Sequence, residues 1–121
     1  MWILIAEDES SMGDLLTQGL QEQNHTVTLA RNGEQALAAL ATANFDAIVL
    51  DVMMPVMDGP ETFRELQKNP ATASIPVLLL TAKVQSSDQR RFADLGVKAI
   101  LFKPFDPLTL ADQISSALGW D

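Results

Sequence analysis

The sequence contains no cysteine and only one histidine. A disulfide framework and thiolate chemistry are therefore excluded, and a single imidazole cannot supply a zinc site of the usual Cys/His kind. Positive charge is scarce as well: eight Lys and Arg stand against sixteen Asp and Glu, for a formal charge of -8 at pH 7. With no basic run to offset it, that balance repels nucleic-acid phosphates and points to proteins or cations as partners. Long apolar runs are missing too. The longest, Ile75 to Leu80, is far short of the roughly 18 residues needed to span a bilayer. Met1-Trp-Ile-Leu-Ile-Ala6 has neither the basic start nor the length of a signal peptide, so a cytoplasmic location is expected. There is no internal repeat, linker or low-complexity tract. Residues 1–121, 47% hydrophobic, read as one domain with enough apolar material for its own core.

Short apolar, β-rich runs alternate with amphipathic segments along the chain. Strands are expected at Trp2-Ile-Leu-Ile-Ala6, Thr26-Val-Thr-Leu-Ala30, Ala47-Ile-Val-Leu-Asp51, Ile75-Pro-Val-Leu-Leu-Leu80-Thr81 and Ala99-Ile-Leu-Phe102, the second less apolar and so at an edge. The first helix should be capped by Ser10 or Ser11 and should turn Met12, Leu15, Leu16, Gly19 and Leu20 inward. After an Asn32-Gly33 turn, a second helix runs from Glu34 to Ala43 with Ala36, Leu37 and Leu40 on one stripe. Gly59-Pro60 opens a third, through Phe63 and Leu66 to about Asn69. A fourth, capped by Ser86 or Ser87, runs from Asp88 to Leu95 and stops at Gly96. The last spans Asp106 to Leu118, with Leu108, Leu110, Ile114 and Leu118 inward. Five near-continuous apolar strands alternating with five helices imply an α/β fold, a parallel sheet covered on both faces.

In such sheets ligands bind beyond the carboxyl ends of the strands. There the sequence places Glu7 and Asp8, Asp51, Thr81 and Lys103, each polar after an apolar run. Taken singly, each has an ordinary explanation: helix-start acids, a strand-end hydroxyl, a solvated lysine. Their gathering at one rim does not. Asp51 is the centre of this arrangement, because Ala47-Ile-Val-Leu runs without a polar break into it and Pro55 forbids the strand from continuing.

Four blocks, Ile5-Ala-Glu7-Asp8-Glu9, Leu50-Asp51-Val-Met-Met-Pro55-Val-Met-Asp58-Gly59, Leu80-Thr81-Ala82-Lys83 and Lys103-Pro104-Phe105, resemble in order and spacing the signature blocks of response-regulator receiver domains. The resemblance covers the whole chain. It implies a doubly wound, flavodoxin-like (βα)5 fold with sheet order 2-1-3-4-5. It also implies a two-component or phosphorelay function, with a sensor histidine kinase or histidine phosphotransfer protein as donor and a downstream protein target or output domain as reader. On this resemblance Asp51 is the phosphoacceptor, Thr81 and Lys103 contact the transferred group, and Ile100, Ala82, Lys83 and Pro104 are switch or modulating positions. The chain would be a signalling domain rather than an enzyme acting on other substrates.

The implied chemistry follows from the residue types. An ionised aspartate can attack the phosphorus of a phosphohistidine if the incoming charge is neutralised. Glu7, Asp8 and Asp51 would repel one another unless a hard cation joins them. Mg²⁺ suits such an oxygen site, with Mn²⁺ able to substitute, and by the resemblance the backbone carbonyl of Met53 is a further ligand. Lys103 would give a point charge to one phosphoryl oxygen and Thr81 a hydroxyl to another. Met53 and Lys83, two positions beyond the acid and the threonine, should flank the line of water attack. Neither can act as a base, so slow self-dephosphorylation is expected. An aspartyl-nucleophile Mg²⁺-dependent phosphohydrolase is disfavoured, since its general acid would occupy position 53, which is Met. A non-phosphorylated interaction scaffold remains open, although none of the signature residues is lost. A nucleotide-binding Rossmann turn would need glycines where Glu7-Asp8-Glu9 stands. Ile100 replaces the aromatic residue frequent at this position in receivers, and Phe102 is expected on the opposite-facing side of the strand.

Overall fold

The computed structural model describes residues 1–82, 86–102 and 107–119, with side chains for all of these except 86–89, 107, 108 and 110. The elements follow in strict alternation: β1 (Trp2–Ala6), α1 (Ser10–Glu22), β2 (Thr26–Ala30), α2 (Gly33–Thr42), β3 (Ala47–Asp51), α3 (Gly59–Lys68), β4 (Val77–Thr81), α4 (Ser86–Ala93), β5 (Ala99–Phe102) and α5 (Pro107–Leu118). All strand pairs are parallel and the sheet order is β2-β1-β3-β4-β5. The order reverses between β1 and β3, the place where an open α/β sheet forms its ligand crevice.

The strand period of two sorts the core into two layers. Ile3 and Ile5 of β1, Val49 of β3 and Leu78 and Leu80 of β4 pack with Leu16 and Leu20 of α1 and Ala111 and Ile114 of α5. The intervening residues Leu4, Ile48, Leu50, Val77 and Leu79 pack with Ala36 of α2, Phe63 and Leu66 of α3 and Phe92 of α4. β3 and β4 are buried at every position, which is why their sequences show no polar alternation.

The strands fall where the apolar runs place them, with one trim. Ile75 and Pro76 lie before β4, because proline has no N–H for the ladder and Ile75 N–H instead closes a turn onto the Thr72 carbonyl at 3.1 Å. Helix starts differ more. α1 begins at Ser10 with Glu9 as its N-cap and no side-chain cap bond. The Ser11 hydroxyl donates to Glu9 Oε1 at 3.0 Å, so it is engaged as a donor rather than as an acceptor of backbone N–H. Leu15 is exposed: the buried positions Gly13, Leu16 and Leu20 define the stripe, and Leu15 lies one residue off it. Asn32, expected in a turn, caps α2 by accepting from Gln35 N–H at 2.8 Å. α4 takes in Ser86 and Ser87, both expected ahead of it, and Gly96 follows it with a φ of 92°. Leu118 is partly buried and Ile114 fully buried, with Ala111 added to the inward face; Asp106 and the side chains of Leu108 and Leu110 lie outside the described residues.

Candidate functional site

The register of the sheet brings the site together. Ala6 pairs with Leu50, so Glu7 and Asp51 are the next residues on adjacent strands, at positions of equal parity. Both are polar and both are buried, at 0% and 3% exposure, while Asp8 is exposed beside them. One carboxylate oxygen from each of Glu7, Asp8 and Asp51 lies within 4.8 Å of the others. That spacing suits one hard cation shared by three oxygen ligands. Thr81 ends β4, the strand next to β3, and is 1% exposed; Ala82 beyond it is exposed. Four of the rim positions named from sequence, Glu7, Asp8, Asp51 and Thr81, thus end three neighbouring strands, β1, β3 and β4. Lys83, Lys103 and Pro104 lie outside the described residues.

Local bonding fixes the acids. Glu7 N–H continues the ladder onto the Ala30 carbonyl at 3.0 Å, and Glu7 Oε1 accepts from Glu9 N–H at 3.2 Å. Asp51 Oδ1 accepts from Met53 N–H at 3.3 Å. The Met53 side chain is 63% exposed, standing over the rim rather than in the core. Asp58, the other acid of this block, serves the fold instead, since it caps α3 by accepting from Glu61 N–H at 2.9 Å. Two features of the block escaped sequence reasoning. A Cβ built on Gly59 would stand 2.6 Å from the Asp51 carbonyl oxygen and 3.0 Å from Val52 Cα, so the glycine is a requirement of close approach. Val56 has a φ of 69°, a left-handed backbone that only a turn with an unusual residue could signal.

Ile100 is partly buried against the layer formed with α2, α3 and α4. It lines a cavity of about 590 Å³ between α4 and β5, together with Arg90, Val97, Lys98 and Phe102. By the strand period Phe102 shares the Ile100 side of β5, contrary to the expectation of opposite faces. Residues two apart on a strand point the same way.

The sequence profile of the response regulator receiver domain matches residues 3–115. The chain belongs to that family. Among solved structures, this receiver is similar to the chemotaxis response regulator CheY4 of Vibrio cholerae, with a TM-score of 0.89 and 30% identity over 96% of this chain and 97% of that one. It is also similar to the receiver domain of sensor histidine kinase PA1611 of Pseudomonas aeruginosa PAO1, described with a magnesium ion coordinated in its active site cleft. There the TM-score is 0.85 and identity 28%, over 98% and 97% of the two chains. Among curated proteins, the transcriptional regulatory protein ResD of Bacillus subtilis (strain 168) is 34% identical over 96% of this chain and 47% of its own length. The receiver spans about half the length of the curated relatives it matches. The resemblance drawn from the four motif blocks and the 2-1-3-4-5 order expected from it are both met. No helix among the described residues is long and apolar enough to cross a membrane.

Proposed function

We propose that this receiver, acting as one unit over residues 1–121, accepts a phosphoryl group on Asp51 from a phosphohistidine of a sensor kinase or histidine phosphotransfer protein in the cytoplasm. The observation that carries the reading is the cluster of Glu7, Asp8 and Asp51 at the β1/β3 switch point, two of the three buried. Asp51 Oδ attacks phosphorus, the P–N bond to the donor imidazole breaks, and the imidazole nitrogen takes a proton. Glu7, Asp8, Asp51 and the Met53 carbonyl would hold Mg²⁺, or Mn²⁺ in its place. The cation, when bound, neutralises charge among the carboxylates and on the transferred group.

The chain's own residues do the rest. Thr81, buried at the end of β4, offers a hydroxyl to a phosphoryl oxygen, and Lys103 an ammonium to another. Ile100, Ala82, Lys83 and Pro104 carry the phosphorylated state to a protein target or output domain. Met53 stands at the rim with an apolar, flexible side chain that cannot orient a water, which supports a long-lived aspartyl phosphate. The phosphohydrolase alternative needs an acid at that position and finds none.

The test is incubation with acetyl phosphate, read by intact mass. One phosphoryl group per chain is expected with Mg²⁺ present, none with chelator, none in Asp51→Asn, and slow loss after the donor is removed. Uptake by Asp51→Asn equal to the parent's would overturn the assignment.

A further inference from the structure

Resting on that reading of Asp51, we infer that Gly59 at the first turn of α3 is a positioning residue for the phosphoacceptor, acting through the Val52–Met53 peptide. Gly59 N–H is one of the backbone donors that a helix start leaves without an intrahelical partner. It is spent on the Val52 carbonyl at 3.1 Å. That carbonyl and the Met53 N–H belong to one trans peptide plane, and in such a plane the two groups point in opposite directions. The Met53 N–H on the far side reaches Asp51 Oδ1 at 3.3 Å. Helix start, peptide plane and carboxylate thus form a relay of two hydrogen bonds about one rigid unit.

The sheet pins the other end of this unit, since Val52 N–H bonds the Leu80 carbonyl at 2.8 Å and extends the β3–β4 ladder one residue past Asp51. The space around Gly59 explains why only glycine serves. An added Cβ would meet the Asp51 carbonyl oxygen at 2.6 Å, Val52 Cα at 3.0 Å and the Asp51 carbonyl carbon at 3.1 Å. All three are backbone atoms of the acceptor and its neighbour, and no flexible side chain is there to yield. A methyl at this position must rotate or displace the very peptide that aims the carboxylate. Asp58 supports the same device from the other side, because its side chain and carbonyl bond Glu61 N–H and Thr62 N–H at 2.9 Å each and hold the first turn of α3 in place. The relay assigns to the start of α3 a function in the reaction, whereas the helix's buried face, Phe63 and Leu66, serves packing alone.

The experiment compares Gly59→Ala with Leu66→Ala, a buried residue of the same helix whose loss lowers stability without touching the relay. Both are assayed with acetyl phosphate at saturating Mg²⁺ and at a temperature where both are folded. Gly59→Ala should be slower than the parent by about tenfold or more, the size expected for loss of one well-placed aiming contact, while Leu66→Ala stays within about twofold. The amide proton of Met53, followed by NMR in the unphosphorylated protein, should shift in Gly59→Ala and not in Leu66→Ala. Equal rates in the two variants, or an unmoved Met53 amide in Gly59→Ala, would overturn the relay. If Gly59→Ala does not fold, Asp58→Ala and Asp58→Asn decide: the first should slow phosphorylation and the second, which keeps a capping oxygen, should restore it. An Asp58→Ala protein as fast as the parent also overturns the relay. A parent that takes up no phosphoryl group contradicts the acceptor reading instead, and the Met53 resonance still tests the relay on its own.

Discussion

Val56 is a β-branched residue held at a φ of 69° and 73% exposed. Left-handed backbone costs an ordinary L-residue roughly 1–2 kcal/mol, and glycine removes that cost while adding about 0.5–1 kcal/mol of unfolded-state entropy. Val56→Gly should therefore raise stability by up to about 1 kcal/mol, seen as an increase in Tm of roughly 3–5 °C. A lower Tm would show that the loop is not strained there. His25 offers a second single-residue test. Burial, and secondarily the Met1 ammonium, lowers its pKa from the ordinary 6.5. The unfolded chain then binds the proton first as pH falls, so this contribution to stability is present above 6.5, declines as pH drops below it, and is fully lost below the folded value. Thermal melts one unit above and one unit below 6.5 should differ less for His25→Gln than for the parent; an equal difference would discount the imidazole. The site acids were legible in sequence because charge at the end of an apolar run is conspicuous. Gly59 and Val56 were not, since a glycine in Asp-Gly-Pro reads equally well as a helix start, and a valine gives no sign of its backbone angle.

Strands were more legible than helix starts: four of the five fall on their expected residues, the partly exposed edge strand β2 among them. β3 and β4 lie inside the sheet, covered on both faces, so unbroken apolar runs mark them, to the residue for β3 and with Ile75 and Pro76 too many for β4. Helix starts were less so, because several Ser, Asp and Asn near each start can cap and only the three-dimensional turn selects one. In α1 the turn selected none of the serines, Glu9 supplying the extended residue. The α1 stripe gives a test at this scale. Leu15, 43% exposed, and Leu16, 2% exposed, are adjacent in sequence but differ in face. Leu16→Ala should cost about 2–5 kcal/mol in denaturant unfolding, and Leu15→Ala within about 0.5 kcal/mol of nothing. Comparable losses at the two positions would contradict the orientation of the helix.

At the scale of the whole molecule, a charge of -8 is distributed over a fold whose rim gathers three carboxylates within 4.8 Å. Ligand binding to the folded state alone adds stability as the ion is raised above its Kd, by about 2.7 kcal/mol at a hundredfold excess. Mg²⁺ should therefore raise the parent's Tm, while Asp8→Ala should melt slightly higher than the parent in chelator, through relief of like-charge crowding, and respond less to Mg²⁺. An unchanged Mg²⁺ response in Asp8→Ala would remove Asp8 from the ligand set. The sheet order was not legible in periodicity, which fixes strand number and rim but not which strands are neighbours; the motif blocks carried it. Borohydride trapping tests Asp51 as the phosphoacceptor most directly. Reduction of the phosphorylated protein converts an aspartyl phosphate to homoserine, and peptide mapping should find homoserine at position 51 and nowhere else. Homoserine at Asp58 or Asp8, with Asp51 intact, would contradict it.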